Sequence, residues 1–115
     1  MGLDMSLDLQ IREVRSDTMV EECGCDKYTE WNSLCKADFP FRGRKASGAE
    51  AIKIGGGDYY KDACGQVEAT ERVMIHNIIK TMVEGEWLGA QGIQAAFLAT
   101  TWLDDVEVKL IVTWC

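Results

Sequence analysis

The sequence holds one histidine, His76, and one proline, Pro40. A cysteine nucleophile needs a nearby base, and a single histidine on the polar side of a helix is a poor candidate for that role. No apolar run approaches the ~20 residues that a membrane-spanning helix needs. A charged segment followed by an apolar one is also missing from the start of the sequence. We therefore expect a non-enzymatic protein with no membrane association, no signal peptide and no cofactor.

Positive charge is scarce, because 12 Lys and Arg residues stand against 19 Asp and Glu residues, which gives a net charge of -7. A protein that binds duplex nucleic acid neutralises phosphates with Lys and Arg, so the composition argues against that class. An acidic surface suits solubility or contact with a basic surface on a partner protein. For the second interpretation, the candidate partner-binding residues are Glu21, Glu22, Asp26 and Glu30.

The five cysteines are odd in number and irregular in spacing. This pattern predicts reducing, cytoplasmic surroundings rather than a secreted disulfide framework. A zinc site is the alternative, with Cys23, Cys25, Cys35 and Cys64 as ligands. Against zinc, one residue separates the first pair and no second pair exists, so Cys35 and Cys64 are expected to be small buried apolar residues.

The composition, 47% hydrophobic and 27% charged in 115 residues, predicts a single globular domain over residues 1–115. The most regular pattern lies in residues 95–115. It predicts a hairpin of two strands, 95–103 and 106–114, joined at Asp104 and Asp105, which tolerate the backbone of a tight turn. A helix over residues 90–103 is the alternative, because Ala and Leu favour helix.

The other predicted elements complete an α+β domain. Its mostly antiparallel sheet has about four strands, with one long amphipathic helix packed on one face and a short second helix. Along the chain we predict a strand from Met5, a loop over 15–25, a helix over 27–39 capped by Asp26, a strand over 50–54, a glycine turn, and the amphipathic helix from Tyr59 or Gln66 to Val83.

Two further surfaces are predicted. The outer face of the hairpin and a nearby tryptophan would support a homodimer or a larger assembly. A basic loop beside the glycine turn would bind phosphate-bearing ligands through cationic side chains and backbone N–H groups. The self-association residues are Trp87, Leu98, Trp102 and Ile111. The anion-binding residues are Arg42, Arg44 and Lys45, with Gly55, Gly56 and Gly57.

The first residues also match the N-myristoylation pattern, with Gly2 followed by Ser6. The alternation from Met5 favours a strand over a lipid anchor, and no polybasic patch follows.

The opening Met-Gly-Leu-Asp-Met, an aromatic segment around Tyr28 and Trp31, and the final Thr113-Trp114 resemble small uncharacterised bacteriophage proteins that begin in the same way. A tyrosine-tryptophan-arginine-lysine run associated with that group is not present. The resemblance carries no catalytic residue. It implies a phage or prophage accessory factor that binds and inhibits a protein in the host cytoplasm. An assembly protein that self-associates and a binder of phosphate-bearing ligands are the alternatives.

Overall fold

The computed structural model describes residues 4–40 and 45–115, with only the backbone described for Lys45. Within these ranges the chain forms an α+β domain, as the sequence predicts. Its elements are β1 (Asp4–Glu13), α1 (Asp17–Cys23), β2 (Asn32–Pro40), α2 (Lys45–Ile54), β3 (Gly65–Ala69), α3 (Arg72–Glu84), α4 (Ala90–Ala99), a 3-10 turn (Thr100–Trp102) and β4 (Val106–Trp114).

The four strands form one sheet in the order β2-β1-β4-β3, and every neighbouring pair is antiparallel. Side chains alternate between the two faces of a strand. On β1, Met5, Leu7 and Leu9 are buried on one face, while Ser6 and Asp8 lie on the other. The predicted first strand and the four-stranded antiparallel sheet are confirmed.

The helical layer packs on the buried face of the sheet. Its central helix, α3, buries Ile75, Ile78, Ile79 and Met82, which are spaced at three and four residues as an amphipathic helix requires. The predicted stripe is therefore correct from Arg72 onward, and α2 and α4 share the rest of the layer. The one long helix is not found, since α3 has 13 residues and Val67 belongs to β3 instead.

The predicted C-terminal hairpin is wrong in its first half. Residues 90–99 form α4, which buries Ala90, Ile93 and Phe97, a spacing of three and four residues on one helix face. The stretch is alanine-rich and largely apolar, so its alternation does not distinguish strand from helix, and helix propensity decides. The second half, β4, forms as predicted and pairs with β1 and β3.

Three shorter predictions are also wrong. The predicted loop contains α1, the predicted helix over 27–39 is replaced by β2, and the predicted strand over 50–54 belongs to α2. In β2, Cys35, Ala37 and Phe39 alternate toward the core and pair with β1, an arrangement that a local pattern does not reveal. A five-residue segment such as 50–54, with three apolar residues, is too short to separate strand from helix.

Cys64 forms a disulfide with Cys115, so the expectation that Cys64 is a small buried apolar residue is wrong. Such bonds are rare in reducing surroundings, so the cytoplasmic location stays a prediction. Among the described ranges, none of the helices is long and apolar enough to cross a membrane.

Candidate functional site: an acidic arm beside an apolar cleft

The connection between β1 and β2 forms an arm, which we define as residues 15–28. The arm begins where the two strands continue as a narrow ladder: Val14 bridges Tyr28, and the Arg15 N–H donates to the Lys27 carbonyl at 2.7 Å. Helix α1 lies in the arm, and no residue of α1 is buried. The arm therefore presents its side chains to solvent rather than to the core.

Capping interactions, rather than core packing, stabilise α1. The Ser16 hydroxyl accepts a hydrogen bond from the Met19 N–H at 3.2 Å, and Gly24 ends the helix at φ 66° while donating to the Val20 carbonyl. A seven-residue helix is marginal in water by itself, so these two caps have an unusually large share in keeping it formed.

The predicted partner-binding acids all lie on or beside this arm. Glu21 and Glu22 are on α1, Asp26 is in the turn that follows, and Glu30 lies two residues past the end of the arm; all four are exposed. The structure thus gathers the four into one short, solvent-facing segment. Whether they bind a partner stays a prediction.

A cleft of about 710 Å³ separates the arm from the start of β4. Two large apolar side chains in its lining are about half exposed: Met19 is 48% exposed and Leu103 is 51% exposed. Asp104 and Asp105 also line the cleft, as do Arg12 and Arg15, so its apolar side chains stand beside charged groups of both signs. Sequence reasoning missed the cleft, because its walls come from residues 11–32 and 103–106, which only the fold brings together.

The base of the arm is fixed to the open face of the sheet by Arg12. Its guanidinium carbon lies 4.0 Å from the centroid of the Tyr28 ring and 4.4 Å from that of Trp31. Its Nη2 also pairs with Glu107 Oε2 at 2.9 Å. Lys109 extends this arrangement, with its Nζ 4.6 Å from the Trp31 ring centroid. Arg12 also lines the cleft, so these contacts hold one of its lining residues in place.

The cysteines do not assemble as the zinc alternative requires. Cys23 and Cys25 lie at the end of α1, Cys35 is partly buried on β2, and Cys64 is committed to its disulfide. Within residues 4–40 and 45–115, no group of three or more His, Cys, Asp or Glu side chains is arranged to hold a metal ion. The four-cysteine site is thus excluded by the bond at Cys64. His76 is exposed on α3, as expected.

The predicted anion site falls mostly outside the described part of the chain, because Arg42, Arg44 and the side chain of Lys45 are not described. The glycine turn is described, and it is a turn as predicted, with Gly56 at φ 95°. Packing explains why residue 57 is a glycine, since a Cβ there would lie 2.5 Å from Cη2 of Trp114. This glycine therefore serves the core, and phosphate binding stays a prediction.

The four predicted self-association residues do not form one surface. Trp87 is only 5% exposed and donates its indole N–H to the Ser47 hydroxyl at 2.8 Å, which contradicts its expected exposure. Ile111 is half-buried on the open face of the sheet. Leu98 and Trp102, 49% and 87% exposed, lie in the helical layer on the opposite side.

The chain matches no family model, no curated protein and no solved structure. The arm and its cleft are therefore interpreted from their own geometry.

Proposed function

We propose that the protein is a non-enzymatic binding domain that holds a partner protein between its arm and the start of β4. The observation that carries the proposal is the cleft itself, where Met19 and Leu103 are each about half exposed beside an acidic segment. The partner would present an apolar side chain to the cleft and basic side chains to Glu21, Glu22, Asp26 and Glu30.

This division of labour follows from the physics of interfaces. Apolar side chains that lie together and open to solvent are typical of contact surfaces, and desolvated anchors at the centre of an interface supply most of its affinity. Charges at the rim chiefly increase the association rate and select the partner. The net charge of -7 adds a long-range attraction toward a basic surface.

The biological setting of this binding stays a prediction. On the resemblance noted from the sequence, the protein would be a phage or prophage factor that inhibits a host protein, in the host cytoplasm, by occupying its basic surface. Inhibition by occupation needs an accessible contact surface and no catalytic group.

Affinity capture from a bacterial lysate with immobilised variants tests the proposal. Met19→Asp and Leu103→Asp should each weaken binding of the captured protein by about tenfold, equivalent to about 1.4 kcal/mol. The double charge reversal Glu21→Lys/Glu22→Lys should slow association and reduce its dependence on salt. Leu88→Asp is the matched control, because Leu88 is 93% exposed in the turn between α3 and α4. Equal capture by all of these variants would refute the site.

Self-association is the second candidate function, favoured by one observation. Trp102 is 87% exposed and adjoins Leu98 on the last turns of the helical layer, so these side chains offer an apolar contact to a second copy. Sedimentation velocity over a range of concentrations should then show a dimer that Trp102→Ser dissociates. A wild-type chain that remains monomeric throughout would remove this candidate.

A further inference from the structure

Two thiols meet at the end of α1. Cys23 is the last residue of the helix and Cys25 follows Gly24, so a single residue separates them. Cys23 is exposed, Cys25 is partly buried, and neither cysteine belongs to the disulfide elsewhere in the chain. This is a paired dithiol on the surface rather than an isolated cysteine.

The backbone between the thiols is already bent as ring closure requires. Two Cα atoms two residues apart span at most about 7 Å when extended. Gly24, at φ 66°, is not extended, so it brings the two Cα atoms closer together. A disulfide needs a Cα separation of about 4.4–6.8 Å, a range that two residues separated by one bent glycine can reach.

We propose that Cys23 and Cys25 form a redox-active site that exchanges with small-molecule disulfides, cycling between a dithiol and an intramolecular disulfide. The proposal is independent of the partner-binding function, because it concerns the sulfur atoms alone. Exposed disulfides are the labile and reactive ones, in contrast to structural bonds. The site lies in the arm, where oxidation does not disturb the sheet or its core.

The two sulfurs have different roles in the exchange. A hydrogen bond with the Cys25 side chain is the largest cause that raises the pKa of Cys23 above its ordinary value, and nearby Arg15 acts in the opposite direction. We therefore assign the resolving step to Cys23, whose raised pKa favours the protonated form, and the first attack to Cys25. The Cys25 thiolate forms a bond to one sulfur of the small disulfide and expels one thiolate.

In the second step Cys23 loses its proton, attacks the Cys25 sulfur of the mixed disulfide and expels the second small thiolate. The protein gives up two electrons and two protons, and the small disulfide is reduced to two thiols. Because the second step is intramolecular between neighbouring groups, it should outrun attack by thiols in solution.

Glutathione buffers of graded oxidation test the site in the full-length protein, followed by acid quenching, alkylation and digestion with trypsin. Cleavage after Arg15 and Lys27 releases residues 16–27, a peptide whose only cysteines are Cys23 and Cys25. In oxidising buffer this peptide should lose both alkylatable thiols and two hydrogen atoms, carry no glutathione, and regain both thiols in reducing buffer.

Two single variants sharpen the test, and both should fold because α1 has no buried residue. Cys23→Ser should accumulate one glutathione on Cys25, and Cys25→Ser should react more slowly. Cys35, which lies alone on the peptide of residues 28–36, reports the behaviour of an unpaired thiol in the same sample. Stable glutathione adducts on the wild-type peptide, disulfide-linked dimers through it, or two thiols that persist in oxidising buffer would each overturn the proposal.

Discussion

Cys115 is bonded to Cys64, so the residue that follows β4 is tied to the residue that precedes β3. The two strands are already neighbours, with Trp114 opposite Gly65. Backbone hydrogen bonds between Asp4 and Cys115, at 2.8 and 2.9 Å, hold the same strand end from its other side. The disulfide therefore reinforces a junction that three strands share.

Replacing both bonded cysteines, as in Cys64→Ser/Cys115→Ser, should lower the free energy of unfolding by about 2–4 kcal/mol. The bond closes a loop between residues 51 apart in sequence, and a loop of that size restricts the unfolded chain substantially. Urea unfolding with and without reductant measures the effect. Reductant should destabilise the wild type and leave the double variant unchanged; an unaltered wild-type midpoint would contradict the expectation.

Arg12→Ala should destabilise the protein by about 1–2 kcal/mol, because it removes two ring contacts together with the ion pair to Glu107. Glu107→Gln is the control that removes only the ion pair, and it should cost about 0–1 kcal/mol. The loss of stability in Arg12→Lys should lie between the losses in Arg12→Ala and Glu107→Gln, since an ammonium cannot stack as a planar guanidinium does. Denaturant midpoints of the three variants compare these terms, and equal losses for Arg12→Ala and Glu107→Gln would show that the rings contribute nothing.

Gly57→Ala should destabilise the protein by about 1–3 kcal/mol, because the added methyl group would meet Cη2 of Trp114 at 2.5 Å and Cγ2 of Ile52 at 2.9 Å. Gly92→Ala is the matched substitution on α4, where nothing lies within 4 Å of the new Cβ. It should stabilise the protein by about 0.5–1 kcal/mol, since alanine loses less backbone entropy in a helix. Thermal unfolding of the pair should show shifts of opposite sign.

Ser16→Ala should loosen α1 without altering the midpoint of global unfolding. The substitution removes the N-cap hydrogen bond to Met19, which contributes about 1 kcal/mol to a helix of this kind. Because no residue of α1 is buried, the loss stays local. Amide hydrogen exchange should accelerate within residues 17–23 and remain unchanged in β1. A lowered global midpoint would instead mean that α1 is coupled to the core.

Regular hydrophobic patterns allow part of the fold to be predicted from the sequence. The alternation of Met5, Leu7 and Leu9 and the helical stripe of α3 each involve large apolar residues on one side and polar residues on the other, so their periods are unambiguous. β2 was not readable for a physical reason. The register shifts between Leu9 and Gln10, which leaves Leu34 without a partner and breaks the alternation along the strand.

Of the candidate site, only the exposed acidic residues could be predicted from the sequence. Exposure of Glu21 and Glu22 follows from their acidity, but the cleft requires Leu103 to approach the arm from the far end of the chain. The position of Arg12 between two rings likewise depends on how the arm folds back over the sheet. Contacts of this kind are set by tertiary packing, which local sequence does not encode.

The strand order affects how the chain folds during synthesis. Of the four strands, the two middle ones, β1 and β4, are made first and last. In a nascent chain, β1 therefore lacks its central neighbour until residues 106–114 emerge from the ribosome. Pairings between such distant segments form slowly, and meanwhile the inner edge of β1 stays available to other chains. Aggregation during synthesis should therefore depend on how soon β4 follows the other strands, which makes slow translation of the codons for residues 106–114 a hazard for this protein.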